Sequence, residues 1–205
     1  MRSGSLISGL IFSGAFALIG CSSSDGGDGS GVGNASAFEG IYQVTAASEN
    51  TSGCTPGTST LSQLRDQFFV ITGSELFGQK YVVLNSCSSV SDCQAKRAAQ
   101  LANQGYQIEY TYTLSNSTNS TTLNGFVATT GTSQGTQCVG RTYADHLLTV
   151  AADHSVHLES RTKKLADQPQ DDGFCVVEPA KSKQEAAGKE CSSLAVLDGS
   201  FVQAN

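Results

Sequence analysis

Positive charge is scarce in this 205-residue chain: twelve lysines and arginines stand against eighteen aspartates and glutamates, a formal net charge of −6. Apart from Arg161, Lys163 and Lys164, and a scattered group near Lys181, no stretch concentrates basic residues. That balance excludes nucleic acid as a partner and reads as an acidic, Ser/Thr/Asn-rich surface that keeps the chain soluble. Beyond the first twenty residues there is no second apolar run long enough to span a bilayer. No C-x-x-C pair occurs and the cysteines are scattered, so no metal site is expected. Carboxylates do not pair usefully either. Asp171 and Asp172 sit in turn composition, Gln168-Pro-Gln-Asp-Asp-Gly173, and alternation puts Glu109 on the watery side of its strand. Nothing marks a general acid, and no cofactor is implied.

What is present begins with a processing segment. Arg2 precedes a run dominated by Leu6, Ile7, Leu10, Ile11, Phe12, Phe16, Leu18 and Ile19, with Gly and Ser between them. The run is too short and too rich in Gly and Ser for a good spanning helix, but it suits the apolar core of a signal peptide. It ends in Leu18-Ile19-Gly20-Cys21, which resembles the lipobox of bacterial lipoproteins. The resemblance implies cleavage before Cys21, fatty acylation of its sulfur, and a membrane as partner through that lipid. Ser22 rather than Asp after the cysteine implies, by the sorting rule of that family, the outer membrane of the cell envelope. Ser22 to Ser36 has almost nothing to bury and reads as a flexible tether, holding the domain roughly 20 Å from the bilayer. The expected organisation is therefore a signal peptide over 1–20, the lipidated cysteine and tether over 21–36, and one domain over 37–205. That domain is large enough for a proper core.

Seven cysteines are an odd number, but assigning Cys21 to lipid leaves six: Cys54, Cys87, Cys93, Cys138, Cys175 and Cys191. Six in an exported domain read as three disulfides. Connectivity is not deducible from one sequence, since six cysteines allow fifteen pairings. The working expectation is Cys87 with Cys93, Cys175 with Cys191, and Cys54 with Cys138, the last closing a long loop worth about 4 kcal/mol.

Strand signals dominate the domain. Tyr106 to Leu114 alternates apolar and polar residues, Ser115 to Ser120 has turn chemistry, and Thr121 to Thr130 is expected to pair back as a hairpin. A second hairpin joins Thr142–Ala151, with Ala144, Leu148 and Val150 on one face, to a strand from Val156. There Val156 and Leu158 point inward while His157, Glu159, Arg161 and Lys163 face out. Phe38–Ala46, Phe68–Thr72, Lys80–Asn85 and Leu194–Val202 are further candidates. Two helices interrupt the pattern. One has a capping box at Ser91-Asp-Cys-Gln94 and a stop at Gly105; the other begins at Pro179 and runs through Ala180–Glu190.

The whole reads as a mainly β, antiparallel up-and-down barrel of about eight strands with two short helices; a β-sandwich is the alternative. Gly40-Ile41-Tyr42 in the first strand, the meander, and a late helix before a last strand resemble the lipocalin layout. The chain departs from it in having Tyr42 where lipocalins have Trp, no Trp at all, and a helix at Cys93 inside the meander.

Candidate chemistry is thin. Gly131-Thr-Ser133-Gln-Gly135 matches the G-x-S-x-G pattern of serine hydrolases, but it lies between strands, where the motif requires a strand before and a helix after. Asp145 and His146 are adjacent rather than spaced acid and base, so no catalytic residue is assigned and no enzyme is expected. His146, His154 and His157 cluster in the second hairpin, yet alternation points His146 inward and His157 outward, against a shared metal. The remaining constellation is Tyr106, Ile108, Tyr110 and Tyr112, whose side chains share the inner face and either fill the core or line a cavity. Two functions follow as expectations: a membrane-anchored binding module for a small apolar or amphipathic ligand, or an envelope structural or protein-interaction lipoprotein with a filled core. The sequence names neither ligand nor protein partner.

Overall fold

The computed structural model describes residues 35–76, 79–102, 112–114, 116–119, 121–129, 131–135, 137–165, 175 and 179–204. The signal-like segment, Cys21 and nearly all of the tether lie outside these residues.

The strands follow from alternation and β-branched content. In chain order they are β1 (Gly40–Asn50), β2 (Thr58–Ser59), β3 (Phe68–Leu76), β4 (Gln79–Cys87), β5 (Tyr112–Leu114), β6 (Asn116–Asn119), β7 (Thr122–Thr129), β8 (Thr132–Gln134), β9 (Gln137–Val139), β10 (Thr142–Val150), β11 (Val156–Lys164) and β12 (Cys191–Gln203). Helix α1 (Val90–Leu101) follows β4, and α2 (Pro179–Ala186) precedes β12. The main sheet has the order β5-β4-β3-β1-β12-β11-β10-β7-β6, with β2 added beside β1, and β8 and β9 form a separate hairpin. Every pairing among the described residues is antiparallel. The sheet curls into a half-barrel of up-and-down type. Its two edges are consecutive in the chain. One residue separates β5, bonded to β4, from β6, bonded to β7, so a single stretch borders both ends of the curl.

The concave side is filled. Tyr42, Val44, Phe69, Ile71, Val82, Leu84, Leu114, Leu123, Leu148, Val150, Val156 and Leu158 form one buried cluster. A 3-10 turn at Ala35–Ala37 and another at Leu61–Gln63 bring Phe38, Leu61 and Leu64 against the same cluster. Tyr42 stacks on Phe69 with ring centroids 5.2 Å apart, and its hydroxyl donates to the Phe38 carbonyl at 2.7 Å. Backbone glycines make this packing possible. A Cβ at Gly199 would lie 2.5 Å from Phe69 Cζ, and one at Gly40 would lie 2.7 Å from Phe201 Cε2.

Both helices cover the convex side. Cys93 and Val90 of α1 pack with Ile41, Phe68, Val70 and Cys87, outward residues of β1, β3 and β4. Further along α1, Gln100 accepts a hydrogen bond from Asn85 Nδ2 at 3.1 Å, a buried polar contact between helix and sheet. Ala186 of α2 packs with Tyr143, Leu165, Phe126 and Ala128 over β7 and β10. The buried Arg141 guanidinium pairs with Glu185 to hold α2 in place.

Three details depart from expectation. The polar stretch at 115–120 is not all turn: Asn116–Asn119 forms β6 and pairs with β7, while β5 turns to β4 instead. An edge position tolerates Ser, Thr and Asn because one side of the strand meets solvent. The cap of α1 is Ser89, whose hydroxyl accepts from Asp92 N at 3.2 Å, two residues before the expected Ser91. Asp92 reaches back to Ser88 N at 2.8 Å, so the box is Ser-x-x-Asp. The helix ends at Leu101, and the expected stop, Gly105, lies outside the described residues.

The third departure is disulfide pairing. Cys87 pairs with Cys93, as expected, but Cys54 pairs with Cys191 and Cys138 with Cys175. Register decides the first change: β1 and β12 pair as far as Asn50 opposite Leu194, which brings Cys54 and Cys191 to a Cα separation of 5.6 Å. Helix α2 lies between Cys175 and Cys191 and carries the chain away, leaving Cys175 against Cys138 beside the start of β10. The Cys54–Cys191 link spans 137 residues. In the chain-entropy picture such a loop stabilises by about 5 kcal/mol.

The two ends of the half-barrel differ. β1 begins and β12 finishes at one end, where Ile41 faces Gln203 and where the short β10–β11 turn lies. All three disulfides sit toward the other end, among the longer connections.

Gly199→Ala is expected to cost about 1–3 kcal/mol, because the added methyl must displace the Phe69 ring from its stack. Thermal or denaturant unfolding measures this, and Phe69→Leu in the same background is expected to recover part of the loss. An unchanged melting temperature for Gly199→Ala would show the stack to be looser than described.

Candidate functional site

The inward side is packed with large apolar side chains. Tyr42, Phe69, Leu84, Leu114, Leu123, Leu148 and Leu158 are each 2% exposed or less and in mutual contact. Of the expected cavity-lining residues, Tyr112 lies in β5 opposite Leu84. Tyr106, Ile108 and Tyr110 lie outside the described residues.

A pocket does open on the convex side, near the end where β10 turns into β11. It has a volume of about 370 Å³ and is lined by Thr45, Thr149, Ala151, Ser155, Val156, His157, Asp198, Gly199 and Ser200. Four strands assemble it by register: Thr149 of β10 faces His157 of β11, which faces Asp198 of β12, which faces Ala46 of β1. A register shift between Val44 and Ala46 swells β1 at Thr45 and turns that side chain to the rim.

His157 is the hinge of its electrostatics. Its Nδ1 lies 2.5 Å from Asp198 Oδ1 and its Nε2 lies 3.4 Å from Glu159 Oε1. Arg161 Nη2 in turn donates to Glu159 Oε2 at 2.6 Å. Partial burial works against a charged ring, but the bonds to Asp198 and Glu159 outweigh it, and the His157 pKa is raised. The outward set expected from alternation, His157, Glu159 and Arg161, is thus one continuous row of alternating charge across β12 and β11. Thr149 donates to the His157 carbonyl at 3.5 Å and Ser155 to Asp153 at 2.7 Å, so both hydroxyls are used internally.

The other candidates do not converge. His146 points inward and is buried, and desolvation lowers its pKa to about 4, with Asp145 pulling weakly the other way. Asp145 faces outward and accepts from the Tyr143 hydroxyl at 2.9 Å; burial first, then that bond, raises the Tyr143 pKa. His154 sits in the turn with φ of 61°, its ring 5.5 Å from Phe201. Ser133 lies exposed in the β8–β9 hairpin and donates to the Gly135 carbonyl at 3.4 Å. β9 follows it where a nucleophile elbow has a helix, which removes the dipole and the exposed turn the motif requires. Among the described residues, no three His, Cys, Asp or Glu side chains gather to hold a metal, and no helix is long and apolar enough to cross a membrane.

No protein family, characterised protein or solved structure matches this chain. The pocket therefore rests on its own geometry. Sequence reading missed Asp198, Thr45 and Ser200. Alternation orients each strand but does not say that β12 lies between β1 and β11, so nothing local ties Asp198 to a histidine 41 residues earlier.

The inward His146 and the outward His157 give opposite pH signatures. A neutral, desolvated His146 means that the unfolded chain binds more protons between about pH 6.5 and 4, so stability falls as pH drops through that window. The loss is on the order of 3 kcal/mol. His157, with a raised pKa, contributes stability that is present at acid pH and lost as pH rises past its folded value. His146→Leu is expected to flatten the acid limb of a stability–pH curve. His157→Gln is expected to lose most of its effect in alkaline solution. Unchanged acid sensitivity in His146→Leu would place the titrating group elsewhere.

Proposed function

We propose that this chain is a lipid-anchored envelope protein whose domain is a non-enzymatic binding and interaction module, working through its convex surface rather than through a lumen. The observation that carries the reading is the filled concave side, stoppered by Phe38 and by Leu61 and Leu64. A half-barrel packed in this way leaves its outer face and connecting loops to meet partners. Leu18-Ile19-Gly20-Cys21, followed by the Gly/Ser stretch, supports the anchor and an outer-membrane address. The disulfides support an oxidising compartment: six cysteines pair with one another, which leaves Cys21 for lipid.

The alternative is a carrier that holds a small apolar or amphipathic molecule behind Tyr106, Ile108, Tyr110 and Tyr112. Native mass spectrometry of the purified protein, with a solvent extract of any bound material, separates the two. A stoichiometric apolar passenger would overturn the filled-core reading, and its absence together with no thermal shift on adding lipids supports it. The anchor is tested separately. Cys21→Ser is expected to abolish labelling by a fatty-acid analogue and move the protein from the membrane fraction to the soluble fraction. Retention on the membrane would refute it.

A further inference from the structure

The convex pocket has a chemistry of its own, and it goes beyond the proposed module by naming what the module takes. His157 spends both ring nitrogens on protein carboxylates, Nδ1 on Asp198 Oδ1 and Nε2 on Glu159 Oε1. It therefore offers the pocket no free donor. It positions Asp198 and, when the ring is protonated, neutralises much of its charge, because a protonated ring held beside a carboxylate forms an ion pair. Asp198 Oδ2 remains open as an acceptor, and the side chain is 38% exposed. Thr45 and Ser200 add two hydroxyls to the wall. Among the described residues, none hydrogen-bonds Asp198 Oδ2 or these two hydroxyls. Ala151 supplies the apolar side chain of the lining, while Val156 and Gly199 border it from positions directed into the core.

Each ligand class can be set against that inventory. An anion meets Asp198, Glu159 and a chain of net charge −6, and finds no free cation in the lining. A simple cation finds Asp198 already paired with His157. A long apolar chain meets a hydroxyl rim and a pocket of only about 370 Å³. At about 30 Å³ per water, that space holds roughly a dozen waters, enough for one sugar-sized ring with its hydroxyl groups. Such a ring has the matching faces. Its hydroxyls donate to Asp198 Oδ2 and exchange hydrogen bonds with Thr45 and Ser200, while its C–H face rests on Ala151 and the strand backbone at Val156 and Gly199.

We propose that the pocket between β10, β11, β12 and β1 is a subsite for a neutral pyranose, with Asp198, Thr45 and Ser200 as its polar contacts and His157 as the positioning residue for Asp198. The same chemistry is presented by a free monosaccharide and by an exposed residue of a glycan. This inference rests on the outward-facing reading of the domain but not on the lipid anchor.

Isothermal titration of the full chain in detergent tests it, with neutral hexoses and N-acetylhexosamines, neutral oligosaccharides of the same units, glucuronate and glucosamine as probes. Saturable binding of at least one neutral pyranose is expected, with Kd of about 1 mM for a single ring in one shallow subsite. The Thr45→Val, Ser200→Ala double variant removes two hydroxyls without touching the ion pair. It is expected to bind about tenfold more weakly at an unchanged melting temperature. His157→Gln is expected to weaken binding chiefly below the pH at which the wild-type ring deprotonates, where the ion pair with Asp198 exists, a dependence that a merely structural role would not produce. Tighter binding of an oligosaccharide than of its monomer identifies the glycan as source; equal binding identifies the free sugar. No saturable heat with any neutral sugar, stronger binding of glucosamine or glucuronate than of neutral rings, or full affinity in the double variant would each overturn the subsite. A protein that binds sugar but stays on the membrane as Cys21→Ser loses the anchor and keeps the subsite. One that is anchored and binds no sugar does the reverse.

Discussion

Strands β1 and β12 come from opposite ends of the domain, and they run antiparallel from Ile41 opposite Gln203 to Asn50 opposite Leu194. Almost everything else hangs on that pairing. It places β12 between β1 and β11, and so turns two separate meanders, β1-β3-β4 and β7-β10-β11, into one curled sheet. It sets Gly199 over the Tyr42–Phe69 stack and Asp198 beside His157. It also brings Cys54 to Cys191, so the pairing that requires the longest loop closure is the one that a covalent bond secures. Such contacts are slow to form, because β12 must exist before β1 can be paired on both sides.

The curl needs a filled interior and a covered exterior, and the chain provides them unequally. Inward, large side chains meet with glycine at the close approaches, which leaves little slack for substitution. Outward, α1 and α2 each cover one patch and leave the faces of β10, β11 and β12 near their short turn open to solvent. The row of His157, Glu159 and Arg161 lies on that open area. Each charge there has a neighbour of opposite sign, so the surface is polar without carrying a strong field of either sign.

Much of the fold is legible in the sequence where one face is buried and the other wet. The β10–β11 hairpin shows it best: Ala144, Leu148, Val150, Val156 and Leu158 all face inward, and the outward set is as alternation requires. The stretch from Asn116 to Asn119 was opaque because an edge strand of polar residues has the composition of a turn. The start of α1 is ambiguous in the sequence because serines stand at 88, 89 and 91, and only backbone geometry selects Ser89 as the cap. Disulfide pairing and the Asp198–His157 contact depend on which strands become neighbours across the whole chain. Local pattern carries no record of that, so the pocket at His157 is visible only in the folded chain.

The separation of the two ends has a practical consequence for anyone attaching something to this protein. Ala35 and Gln203 lie at the same end of the half-barrel. A reporter or affinity tag joined beyond Gln203 is therefore attached at the end that holds Ala35 and the pocket at His157. The loop at 51–57, next to the Cys54–Cys191 link, points the opposite way. An epitope placed there would report how the molecule is turned on a surface, and an antibody against it would leave the pocket uncovered.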